Sequence, residues 1–378
     1  MPPVTIDGTS GITTPMYNGT ITANAVTPSV NMKNRIINGA MVIDQRNAGA
    51  SVTPASTQYL VDRYWYGATQ ASKFTAQQNA GSVTPPAGFT NYLGMTVASA
   101  VSIGASDAFY IQQSIEGYNI ADLGWGTADA KTVTLSFWVR SSLTGTFGGA
   151  LKNSGSTRNY PYSYTISAAN TWEYKTITIA GDGTAGVGTW GTTNGVGLQV
   201  VWGLGIGSTF SATAGAWTAT NAYSPTGATS VVGTNGATFY ITGVQLEVGS
   251  TATSFDYRPY TTELELCQRY LPIITGGQGS QVFANGMCYS TTAAIINYVF
   301  KVTPRTRPTG LTAVNPTRFS CSQSNTAGTA CTAIAFVDAS LDAAQINMTG
   351  MSTLVAGNAT YAFFNAAGGQ IIFTGCEL

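Results

Sequence analysis

The sequence predicts an all-β protein, and three observations carry that expectation. Charged residues make up only 8% of the 378-residue chain, against about 25% in an ordinary soluble protein, so the surface has to be built from uncharged polar groups. The abundant Thr, Ser, Asn, Gln and Gly supply them, and these residues suit strands and turns better than helix interiors. From residue 34 onward, short runs with apolar residues at every second position recur between Gly, Asn, Asp and Pro, which is the pattern of half-buried strands joined by turns. Length suggests about two domains. Four parts follow: an extended N-terminal arm over 1–33, a jelly-roll β-sandwich over 34–260, a short helix linker over 261–271 and a smaller C-terminal β-sandwich over 272–378.

Each part has its own signature. The arm is broken by Pro2, Pro3, Gly8, Gly11, Pro15, Gly19 and Pro28, too often to bury a core; segments of that kind gain stability by adding an edge strand to a neighbour or by lying along a partner subunit, with a disordered tail as the alternative. In the first sandwich, strands are expected in NRIINGAMVIDQR, TQYLVDRYWYG, DAFYIQQSIEG, KTVTLSFWVRSS, NYPYSYTI, WEYKTITIAGDG, GVGLQVVWGLG and ATFYITGVQLEVG. KTVTLSFWVRSS alternates most clearly, with Val133, Leu135, Phe137 and Val139 on one face and Thr132, Thr134, Ser136, Trp138 and Arg140 on the other. Gly243 interrupts the phase of its strand as a β-bulge would. Beyond it, Val244, Leu246 and Val248 share one side and Gln245 and Glu247 the other.

The period then changes. Thr262 and Glu265 have capping-box spacing, Pro259 lies just upstream, and Leu264, Cys267 and Leu271 recur on one helical face. That face is suited either to meeting its copies around a threefold axis or to packing on the sheets of its own chain. Strand patterns resume in QVFANGMCYST, AAIINYVFKVT, RPTGLTAV, ACTAIAFVD, ATYAFFNAAG and QIIFTGCEL.

Composition also excludes partners. With 16 basic and 16 acidic residues thinly spread, no patch is expected to neutralise a run of phosphates or to settle on an anionic membrane. No apolar run reaches the length of a membrane-spanning helix, and MPPVTIDGTS lacks the regions of a signal peptide, so synthesis in a cytoplasm is expected. The five cysteines (Cys267, Cys288, Cys321, Cys331, Cys376) lack metal-like spacing and read as small core residues, with a Cys321–Cys331 hairpin bridge as the alternative.

Catalytic chemistry is hard to find. The chain has no histidine, which removes Ser/His/Asp and Cys/His systems and histidine-based zinc sites. GDGTAG and GVGTWG, overlapping at 181–191, fit G-x-G-x-x-G, but no helix follows to hold a pyrophosphate, so they read as a loop. Asp107, Glu116, Asp122 and Asp129 form the densest carboxylate group, placed where Asp serves as turn former or cap. No cofactor is expected; calcium is chemically possible, without ligand spacing to support it. Aromatics are the remaining resource, with 7 Trp, 19 Tyr and 15 Phe. Tyr160, Tyr162 and Tyr164 alternate along one strand, and Trp190, Trp217 and Tyr223 stand in neighbouring loops. These six are the candidate sugar-stacking residues, with a structural ladder as the alternative. Trp138 and Trp202 are expected to be structural.

NRIINGAMVIDQRNAG, VDRYWYG, AKTVTLSFWVRSS and FYITGVQLEVGSTATSFDYRPYTTELELCQRYL occur in an order that resembles a family of bacteriophage and prophage tail-fibre-like proteins. The resemblance spans about residues 34 to 271 and fades beyond. It implies a carbohydrate-binding-module-like jelly roll in a homotrimeric, non-enzymatic virion protein, a tail fibre or tail appendage. The implied partners are its own copies, tail or baseplate proteins through residues 1–33, and host surface polysaccharide. A carboxylate-dependent glycan depolymerase and a purely architectural baseplate or head-decoration protein are the alternatives.

Overall fold

In the computed structural model, which describes residues 5–7, 11–13, 33–323 and 326–378, NRIINGAMVIDQR does not form the first strand. Asn38 and Met41 adopt left-handed backbone angles (φ 59° and 57°), and two asparagine side chains take over the hydrogen bonding a ladder would have supplied. Asn34 Nδ2 donates to Val244 O at 2.9 Å while its Oδ1 accepts from the backbone of Ile36 and Leu246, and Asn38 Nδ2 donates to Ile43 O and Asp62 O. Short polar side chains of this kind compete with regular structure by bonding nearby backbone. The expected arm lies outside the described residues, apart from Lys33 and an antiparallel hairpin of β1 (Thr5–Asp7) and β2 (Gly11–Thr13).

The first sandwich is built from β3 (Thr57–Tyr59), β4 (Trp65–Ala68), β5 (Phe74–Gln78), β6 (Leu93–Val97), β7 (Ala108–Glu116), β8 (Val133–Ser141), β9 (Gly145–Lys152), β10 (Asn159–Ile166), β11 (Glu173–Ile179), β12 (Val196–Ile206) and β15 (Thr238–Val248). Between the last two, β13 (Ser211–Ala212) and β14 (Ser224–Pro225) form a small parallel pair. A six-stranded antiparallel sheet, ordered β10-β9-β12-β7-β4-β3, stacks on a five-stranded one, ordered β11-β8-β15-β6-β5. Val133, Leu135, Phe137 and Val139 of β8 are fully buried between the sheets, as their alternation requires. Phe137 meets Tyr164 and Trp202 of the opposite sheet edge-on, at centroid distances of 5.1 and 5.9 Å. Burying each such ring contributes about 1.5–3 kcal/mol.

Helix α1 (Tyr260–Gln268) follows. Its expected capping box does not form: Pro259 occupies the N-cap without a side-chain bond, and it is Glu263 that is engaged, accepting from the Asn38 backbone and pairing with Arg258. The apolar face of α1 packs on residues of its own chain. Cys267 is fully buried with Ile37, Ile43 and Tyr270, Leu264 packs on the same cluster, and Leu271 is buried too.

The second sandwich comprises β16 (Ile273–Thr275), β17 (Gln281–Cys288), β18 (Ala293–Val299), β19 (Gly310–Val314), β20 (Phe319–Gln323), β21 (Thr326–Ala327), β22 (Ala333–Ala339), β23 (Ala343–Thr349), β24 (Ala359–Phe364) and β25 (Gln370–Thr374). They form a three-stranded sheet (β16-β25-β19) and a seven-stranded one (β21-β20-β24-β17-β18-β23-β22) around a core that includes Phe319, Ile346, Phe364 and Phe373. All five cysteines are buried free thiols, so the Cys321–Cys331 bridge is not made.

Charged residues concentrate where the sandwiches join. Arg269 grips the Glu116 carboxylate through Nε and Nη2 at 2.9 and 2.6 Å, and Tyr270 donates to it at 2.7 Å. Burial opposes ionisation of Glu116, but these hydrogen bonds outweigh it and hold its pKa below the ordinary carboxylate value. Glu377 bridges Arg46 and Arg63 at 2.6 and 2.9 Å, and the Arg63 guanidinium lies 3.5 Å over the Tyr270 ring.

Candidate functional site: an aromatic groove on the five-stranded sheet

The outward face of β8, expected to meet solvent, is covered at both ends. At one end, the chain after β5 folds back so that Ala80 and Tyr92 pack with Tyr240, and Trp172 Nε1 donates to Thr84 O at 2.9 Å. At the other, residues 249–258 return across the sheet as a strap. Between these covers lies a groove of about 410 Å³, lined by Ala87, Phe89, Ser136, Trp138, Tyr174, Gly243, Ala252, Thr253, Ser254, Phe255 and Tyr257. That volume falls in the range of small-molecule sites, about 300–1,000 Å³.

Two aromatic walls face each other. Trp138 and Tyr174 are cross-strand partners on β8 and β11, with ring centroids 5.3 Å apart. Opposite them, Phe89, Phe255 and Tyr257 touch in all three pairings, at 5.1, 5.6 and 4.9 Å. Gly243 forms the floor. The pairing of β15 with β8 shifts register between Thr242 and Gln245, so the anticipated bulge is present, and Gly243 has φ 60°. A Cβ there would sit 2.7 Å from Phe89 Cζ and 3.0 Å from Trp138 Cδ1; only glycine leaves the space between the walls open. Tyr174 and Tyr257 are 43% and 59% exposed, so their rings are within reach of a ligand. Ser136, Thr253 and Ser254 add hydroxyls, and no lining side chain is charged.

None of the six aromatics singled out from the sequence lines this groove. Tyr162 and Tyr164 alternate as expected, but the face they share is the core: both are buried, and Tyr162 donates to Val201 O at 2.7 Å. They have no ring face to offer a sugar. Tyr160, Trp190 and Trp217 converge with Trp125 in a corner of edge-on contacts. Trp190 is buried there, its Nε1 donating to Asp182, which Arg158 clasps at 2.8 and 2.5 Å. Asp182 lies in the glycine-rich loop, which supports this ion pair and opens no helix. Tyr223 packs at a tilt against Tyr110, ring centroids 4.5 Å apart, and covers the Lys152 ammonium, 3.2 Å from its ring centroid. Trp202 is a core residue as expected, whereas Trp138, also expected to be structural, forms a wall of the groove. Its position on the outward face of a strand was legible; that Tyr174 would stand beside it, and that Phe89 and Phe255 would stand opposite, was not.

The carboxylate group is dispersed. Asp107 accepts from Gly104, Thr69 and Gln70 in a turn, bonds that lower its pKa; Glu116 is held by Arg269; Asp122 pairs with Arg35 at 2.7 Å. Among the described residues, no three Cys, Asp or Glu side chains converge to hold a cation, and no helix is long and apolar enough to cross a membrane.

No family model matches this chain, and no curated protein does. Among solved structures, it is similar to the enzymatically active domain of tailspike protein 4 from bacteriophage CBA120, at 12% identity and a TM-score of 0.32, over 57% of this chain and 22% of that one. It is also similar to a family 11 carbohydrate-binding module of a cellulosomal cellulase from Clostridium thermocellum (10% identity, TM-score 0.26, 54% of this chain and 98% of that one). A third is the N-terminal cellulose-binding domain of a β-1,4-glucanase from Cellulomonas fimi (13%, 0.21, 44% and 82%). Likenesses of this size assign no function.

Proposed function

We propose that this protein is a non-hydrolytic glycan-binding component of a phage tail appendage, holding a neutral sugar in the groove between Trp138 and Phe255. The observation that carries the reading is a pocket of about 410 Å³ walled by five aromatic rings and edged by hydroxyls, without a charged side chain. A pyranose ring presents C–H faces and a rim of hydroxyls. The aromatic walls suit the faces and the Ser254 hydroxyl suits the rim, while the nearby Lys33 ammonium is already engaged by Thr253 Oγ1 and Ser254 O. The placement in a tail appendage rests on the order of segments over residues 34–271. Retention without turnover is favoured because Glu116, Asp122 and Asp182 are each committed to an arginine and no carboxylate lines the groove, whereas glycosidic cleavage ordinarily needs two flanking the bond.

The test is to incubate the purified protein with neutral and acidic bacterial surface polysaccharides, and to follow both retention and the release of reducing ends. Retention of a neutral glycan, lost in Trp138→Ala and without new reducing ends, is the expected result. Cleavage, or binding indifferent to Trp138, would overturn it.

A further inference from the structure

Gln245 and Glu247 alternate with the core residues Val244 and Leu246, on the side of β15 expected to face solvent. Both are nevertheless almost wholly buried, at 0% and 3% exposure. Burying an amide and a carboxylate costs free energy unless their hydrogen bonds are met, and here those bonds go to the strap. Glu247 Oε1 accepts from Thr253 N at 2.8 Å and Oε2 from Thr253 Oγ1 at 2.6 Å. Gln245 Oε1 accepts from Asp256 N at 2.8 Å, and its Nε2 donates to Glu247 Oε1 at 2.8 Å, with longer approaches to Thr253 O and Ser254 O. The two pinned amides, at 253 and 256, bracket the stretch that carries Phe255 into the groove, and Tyr257 follows directly.

We propose that Gln245 and Glu247 are positioning residues that set the width of the groove. Gly243, two positions before Gln245 on the same strand, fixes the floor between Phe89 and Trp138, while Gln245 and Glu247 fix the distance at which the strap's wall stands from the sheet's wall. A single strand thus determines both dimensions that a ring entering the groove would meet. The fit to a ligand rests on the function proposed above; the pinning of the strap does not.

The experiment uses the full chain and three substitutions, Gln245→Ala, Glu247→Leu and Glu247→Gln. Backbone hydrogen exchange over residues 252–257 reads the strap directly, and cellohexaose and maltohexaose serve as neutral probes. Gln245→Ala and Glu247→Leu should speed exchange at Thr253 and Asp256 and weaken binding of the retained probe by about tenfold, as expected when one wall of a contact site is lost. Glu247→Gln keeps an acceptor for Thr253 N and should recover most of both. Unchanged exchange in both disruptive variants overturns the inference, as does faster exchange with full affinity. Should the unaltered protein retain neither probe, the reading of the groove as a site for these sugars fails, while the exchange data still decide whether the two side chains pin the strap.

Discussion

The two sheets of the first sandwich turn the same kind of alternating strand outward and end with opposite surfaces. On the six-stranded sheet the outward residues Ala150, Lys152 and Val201 are fully buried, because the segment carrying β13 and β14 lies over them. Pro225 and Ser224 press so closely that a Cβ on Gly148 would sit 2.3 Å from Pro225, and one on Gly203 would sit 3.0 Å from Ser224. Near the junction end, that sheet is closed by Arg269 and Tyr270 over Glu116. On the five-stranded sheet, the cover comes in two pieces that meet through Phe89 against Phe255 and Tyr257, and the space left between that contact and Trp138 is the aromatic groove. Strand pattern alone therefore does not make a binding face; the geometry of what returns across it does.

That contrast can be broken or sharpened. The largest effect belongs to the sealed side: Arg269→Ala leaves the Glu116 carboxylate buried without its cation and should cost about 3–5 kcal/mol of stability, read by denaturant unfolding. The same pair predicts a pH response. Because the Glu116 pKa is depressed in the folded state, its contribution is complete above the pKa of the unfolded chain and is lost as pH falls through the lower folded value. Unfolding measured from neutral to acid pH should show this loss in the unaltered protein and much less of it in Arg269→Ala.

On the open side, Trp138→Ala should lower glycan affinity by about 2 kcal/mol, roughly 30-fold, in calorimetric titration. Its cost to folding should be smaller than that of a core substitution such as Phe137→Ala, about 3–5 kcal/mol. Equal destabilisation by the two would make the groove a piece of core.

A smaller effect is expected at Lys152, whose pKa desolvation pushes down to about 7. The folded state resists the charge that the unfolded chain carries up to about pH 10. The penalty is thus complete below about pH 7 and is relieved as pH rises from there toward 10. Lys152→Met should be more stable than the unaltered protein at pH 7, by about 1–2 kcal/mol once the lost attraction to Tyr223 is allowed for, and the advantage should shrink in thermal scans toward pH 10. The smallest change is Tyr174→Phe, which keeps the ring and should alter sugar affinity by no more than the worth of one hydroxyl hydrogen bond, about 1 kcal/mol.

Strands with regular alternation were legible, β8 above all. Others were hidden by composition. GTFGGALK forms β9 although two adjacent glycines disfavour a strand. The reason lies elsewhere in the chain: a Cβ on Gly149 would collide with Val201 O and the Tyr162 hydroxyl, and one on Gly148 with Pro225. The helix at 260–268 could be anticipated from its period, but the residues its apolar face packs against, Ile37 and Ile43, lie more than two hundred positions away. The groove was illegible for the same reason. Its rings come from residues 89, 138, 174, 255 and 257, and only the last two are close in sequence.

By itself the sequence determined that this chain folds as β-sheets with a neutral, hydroxyl-rich exterior, because alternation and composition act locally and need no knowledge of neighbours. Tertiary structure alone decided which outward face is sealed and which keeps a cleft, and turned Tyr162 and Tyr164 into core and Trp138 into a wall. Burial depends on which distant segments return across a sheet, and the free energy of those returns is set by contacts between residues far apart along the chain.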